Sequence, residues 1–80
     1  HRREQKPILL ETLRSMFGMT SAEARVAARI SEGDRPQCIA ESFNVSIDTI
    51  RSHLKGAYLK SGSANKTALA ALVKDLAPPV

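Results

Sequence analysis

The sequence predicts an all-α fold: a small helical bundle of four core helices plus a short N-terminal helix, with a helix-turn-helix inside it. Three observations lead there. Aromatic residues make up only 4% of the 80 positions and Trp is absent, so the core must be filled by Leu, Ile, Val and Ala, which favours helix-on-helix packing over a sheet. Apolar residues recur at helical spacing in separate stretches along the chain. Capping residues and Gly or Pro breaks fall at the ends of those stretches. A chain of this length holds one domain and no more.

The opening HRREQK is polar, and Pro7 biases the residue before it away from helix, so 1–7 reads as a linker or vector-derived remnant. The chain starts with His1 and no signal-peptide pattern follows, which reads as a piece of a longer protein. From Ile8, the residues Leu9, Leu13, Met16 and Phe17 form an apolar stripe for the first helix, and Gly18 stops it. Thr20-Ser21-Ala22-Glu23 carries the capping-box pattern that opens a second helix. Val26, Ala27 and Ile30 continue its buried face, and Gly33 ends it.

Asp34 and Arg35 connect to Pro36, which suits the first position of a third helix. That helix runs to about Phe43, with Ile39, Ala40 and Phe43 turned inward. Asn44 tolerates a left-handed backbone and closes it. Ser46 is an N-cap for the fourth helix, which runs to about Lys60. Ser61-Gly62-Ser63 breaks the chain, and Ser63 is available to cap a last helix from Ala64 to Leu76, lined by Leu69, Leu72, Val73 and Leu76. Pro78 and Pro79 terminate the structure. The domain therefore spans 8–77, with 78–80 as a tail.

Twelve Lys+Arg against eight Asp+Glu give a net charge of +4. The excess is uneven: residues 46–80 hold five basic and two acidic groups, whereas 19–45 hold three and four. A basic domain suits nucleic acid or an anionic surface without selecting either. No apolar run approaches the ~20 residues that span a bilayer, so no membrane partner is expected. The single Cys38 can form neither an internal disulfide nor a Cys-rich zinc site, and a reducing cytoplasmic location is the simplest reading. No nucleophile–base pair and no metal cluster is evident, so neither enzyme activity nor a cofactor is expected.

Two short helices joined by about three residues have the layout of a helix-turn-helix. On a wheel of about 100° per residue with Ile50 at zero, Leu54, Ala57 and Tyr58 fall within about 80° of it, whereas Arg51, Lys55, Asp48, Ser52 and Gly56 fall between about 100° and about 240°. The outer face thus offers hydrogen-bonding side chains over its first turns, which are the turns that meet base edges in such docking. Arg51 and Lys55 can donate to guanine or phosphate, and Ser52 donates or accepts. The helix start, with Ser46 and Thr49, presents backbone amides to a phosphate.

At these residues the sequence resembles the LuxR/NarL-type (GerE-like) DNA-binding domain of bacterial transcription regulators. The matching positions are Met19-Thr20, Glu23, Val26, Gly33, Ile39-Ala40, Phe43, Val45-Ser46, Thr49-Ile50-Arg51, His53 and Lys60-Ser61-Gly62, within a gap-free stretch from about Met19 to Val73. Met19 and Phe43 stand where that pattern usually has Leu, Ser61 where it has Thr or Leu, and Asn65-Lys66 where it often has Arg. The resemblance implies sequence-specific binding of double-stranded DNA, as the output module of a transcription regulator, with Arg51, Ser52 and Lys55 facing the major groove. Lys60 and Lys66 lie where it puts backbone contacts, and His53 and Gln37 join the DNA-facing set. It also implies that the last helix pairs two domains on DNA. Ala68, Ala71 and Leu72 are the candidates for a weak homodimer surface, and RNA polymerase is a further candidate partner.

Each of these residues also has a plain structural reading. Glu23 is explained by its capping role, His53 by a satisfied position at the core edge, Tyr58 as a core-edge residue and Cys38 as a small buried hydrophobe. Arg25, Arg29 and Glu32 read as a solvated face, and Lys60, Lys66 and Lys74 can be solvated too. Asp48 suits the dipole at a helix start. Gly56 reads either as a close approach to the DNA backbone or as a tolerated surface glycine. The rival function is a helix-turn-helix repurposed for protein–protein interaction, against which the small, basic outer face of 51–56 argues, because an interface wants large apolar anchors.

Overall fold

A computed structural model describes residues 7–76 of the chain. Residues 1–6 of the linker expected over 1–7, and the tail at 78–80, lie outside the described residues. Five helices follow one another: α1 (Pro7–Phe17), α2 (Ser21–Ser31), α3 (Pro36–Phe43), α4 (Ile47–Ser61) and α5 (Lys66–Leu76). Among the described residues there is no strand. The all-helical class is as the composition and periodicity predict.

The helix ends follow from local chemistry. Thr20 and Glu23 form a full capping box: the Thr20 hydroxyl accepts from the Glu23 amide at 3.1 Å, and Glu23 Oε1 accepts from the Thr20 amide at 2.9 Å. Ser46 Oγ accepts from the Thr49 amide at 3.2 Å and caps α4. Between α3 and α4 the chain reverses at Asn44, which takes up the left-handed conformation (φ 60°, ψ 46°) that Asn tolerates better than most residues.

α2 is the central element and packs against each of the other four helices, most extensively against α5 and α4. Its buried face, Ala24, Val26, Ala27, Ala28 and Ile30, meets Leu13 of α1, Ile39 of α3, Ile50 of α4 and Leu69 and Val73 of α5 in one cluster. Alanines on α2 allow close approach from several sides, and the large aliphatic residues of its neighbours fill the space between. α3 and α4 pack on each other as well as on α2, so the helix pair is held as a unit.

Several expectations need correction. Pro7 belongs to α1 and not to a linker, because the first helical position tolerates its missing N–H. The stripe of α1 is Leu9 and Leu13, flanked by half-buried Leu10 and Phe17, whereas Met16 is 63% exposed. α1 packs chiefly against α2 and also touches α5, and Met16 faces solvent. α5 starts at Lys66, not Ala64, with Asn65 as the cap: its Oδ1 accepts from the Ala68 amide at 2.9 Å. Ser63 is occupied in closing α4, where its amide donates to the Tyr58 carbonyl at 3.1 Å and its hydroxyl accepts from Ser61.

Cys38 is exposed and not a buried hydrophobe, since its neighbours Ile39 and Ala40 take the core-facing positions. Arg29 is not part of a solvated face either. Its Nε pairs with Asp34, its Nη1 donates to the Ser42 hydroxyl at 3.1 Å, and its guanidinium lies 5.8 Å from the centre of the Phe43 ring. Arg25 sits over the same ring at 4.6 Å. Phe43 is the last residue of α3, and the two arginines use cation–π attraction to tie that end of α3 to α2.

Candidate nucleic-acid interface

α4 divides its residues cleanly. Ile50, Leu54 and Ala57 are buried, and Tyr58 packs half-buried against the same core. Arg51, Ser52 and Lys55 are all exposed. The helix wheel thus places these three on one solvent-facing side. Arg51 lies 3.9 Å from Asp48, with the two side chains 70% and 88% exposed. A pair that solvated holds neither partner firmly, so Arg51 remains available to donate elsewhere. His53 is half-buried beside the core.

The remaining predicted residues divide into two groups. Ser46 and Thr49 stand at the start of α4, their hydroxyls 3.0 Å apart and joined to the cap. Gln37 is exposed in the first turn of α3 and Lys66 is exposed at the first residue of α5. Lys66 and Lys74, with Ala70, Ala71 and Ile30, line an open groove of about 400 Å³ between α5 and the C-terminal end of α2. Of the pairing residues, Ala68 and Ala71 are exposed, but Leu72 is half-buried against the domain's own core.

Lys60 is exposed but engaged. Its Nζ donates to Glu23 Oε1 at 2.7 Å, and the Glu23 residue is only 9% exposed. The same carboxylate explains Gly56. A Cβ built there would lie 2.1 Å from Glu23 Oε2 and 2.9 Å from Cδ. Gly56 is therefore not simply a tolerated surface glycine: it leaves room for an acidic side chain from α2. This three-residue arrangement is invisible to a helix wheel, because Glu23 and Lys60 are 37 positions apart. The only local signal for it was a carboxylate on an apolar stripe.

Burial pushes the Glu23 carboxyl up, but the Lys60 ammonium and the Thr20 amide and hydroxyl outweigh it and hold the group below the usual glutamate range. A carboxyl lowered by folding contributes stability above its unfolded value, and that stability is lost as pH falls through the folded value. The melting temperature of the parent should therefore fall on acidification from about pH 5 towards about pH 3 more steeply than that of Glu23→Gln. Parallel pH profiles for the two proteins would show that this ion pair contributes nothing.

No group of three or more His, Cys, Asp or Glu among the described residues could hold a metal ion. No helix among them is long and apolar enough to cross a membrane. No family model, curated protein or solved structure matches the chain.

Proposed function

We propose that the chain is a sequence-specific double-stranded DNA-binding domain, the output module of a bacterial transcription regulator, with α3 and α4 as its helix-turn-helix. The observation that carries this reading is the division of α4: a buried Ile50–Leu54–Ala57 side anchored on α2 and α3, and an exposed Arg51–Ser52–Lys55 side with donors suited to base edges and phosphates. The resemblance of 19–73 to LuxR/NarL-type domains points the same way. Cytoplasmic action and weak pairing through the exposed Ala68 and Ala71 of α5 on adjacent half-sites belong to the same reading.

The rival reading, a protein-interaction module, gains one residue. Leu59 is 75% exposed and lies about 180° round α4 from Ile50. One leucine next to two cations is short of the central apolar cluster that carries a protein interface. Binding to a pool of duplexes, measured as salt is raised from about 50 to about 200 mM, separates the two. The expected result is affinity that falls with log salt by about 0.9 per neutralised phosphate. Absence of duplex binding at the low-salt end would overturn the proposal.

A further inference from the structure

We propose that Glu23 is the positioning residue of the reading helix: its carboxylate, seated against Gly56 and held by Lys60, sets how α4 lies on α2 and so how Arg51, Ser52 and Lys55 are presented. The inference rests on the reading of α4 as the helix that meets DNA.

A capping box needs Glu23 only to reach the Thr20 amide, which an exposed carboxylate does equally well. Here the side chain is instead turned into the space between two helices, 12% exposed. Oε1 accepts from both the Thr20 amide at 2.9 Å and Lys60 Nζ at 2.7 Å, while Oε2 occupies the position that a side chain at residue 56 would take. Gly56 and Lys60 are one helical turn apart, so α4 is fixed against α2 at two successive points.

Ile50 and Leu54 of α4 share one buried aliphatic cluster with Val26 and Ala27 of α2. Close packing fixes how near the two helices lie, but apolar burial itself carries no directional bond. A charge-assisted hydrogen bond is directional. Arg51, Ser52 and Lys55 lie within five residues of Gly56, and base recognition needs their donors placed to a fraction of an ångström. A methyl group at residue 56 forces the carboxylate or the helix to move by about 1 Å before ordinary contact distances return.

The test uses a duplex enriched from a random library by the parent protein, and compares its affinity with that for unselected duplex. The proteins are the parent, Gly56→Ala, Glu23→Asp and the double Gly56→Ala/Glu23→Asp, each measured below its melting onset as judged by circular dichroism. Gly56→Ala should lose about tenfold in affinity for the selected duplex while keeping its affinity for unselected duplex, because misplacement removes base contacts before phosphate contacts. Glu23→Asp draws the carboxylate back from Lys60 and should show the same selective loss, and the double variant should not recover it; recovery would reduce the Gly56→Ala effect to a steric clash and overturn the positioning role. If Gly56→Ala does not fold, Glu23→Gln keeps the size of the side chain while removing the charge that holds Lys60, and the ratio of selected to unselected affinity should fall. Folded variants with the parent's discrimination would overturn the positioning role and leave DNA binding standing. A parent that binds no duplex overturns both.

Discussion

Leu13→Ala is expected to destabilise the domain by about 2–5 kcal/mol, the range for emptying a fully packed leucine site. Leu13 has no exposed surface, and Leu9, one turn before it, is also buried. Both lie on α1. A chain of this length has a total stability of about 4–12 kcal/mol, so the loss is large enough to leave a substantial unfolded fraction at the low end. Urea denaturation measures it: the midpoint should fall while the slope with denaturant stays that of the parent, since the same surface is exposed on unfolding. Unchanged stability would mean that α1 is an appendage. A loss in the expected range makes α1 part of the folding unit, and a version starting at Met19 would then lack a wall of its own core.

How much could be read in advance depended on whether the relevant contact was local. The helices were legible, because periodic apolar residues, the Thr20–Glu23 box, Asn44 and Ser46 all act within a turn or two of themselves. The exposed set Arg51, Ser52 and Lys55 was legible for the same reason, once Ile50, Leu54 and Ala57 defined the inner side. The start of α5 was misread because Ser63 and Asn65 are equally good caps, and the choice was made by Ser63 being engaged at the end of α4. Arg29 was misread because its partners Ser42 and Phe43 are on another helix. The Glu23 contacts of Lys60 and Gly56 were not legible for the strongest form of that reason: both meet one carboxylate that folding brings from α2.

The double variant Arg51→Ala/Lys55→Ala is expected to keep the fold and lose DNA binding. Both side chains point into solvent, and alanine is a better helix former than either. The contact of Arg51 with Asp48 at 3.9 Å is too exposed to hold stability. Thermal melts should therefore match the parent. If each side chain contacts a base, each should contribute about 1–3 kcal/mol together with selectivity at one position. The double variant should then lose roughly 30-fold at the least. If one of them contacts only phosphate, affinity should fall uniformly across sequences and the salt slope should drop by about one unit. Asp48→Asn supplies the opposite sign. Removing an exposed carboxylate from the same face lifts its repulsion of phosphate and releases Arg51, so affinity should rise, most clearly at low salt. Folded double variants that bind as the parent does would remove α4 from the recognition role.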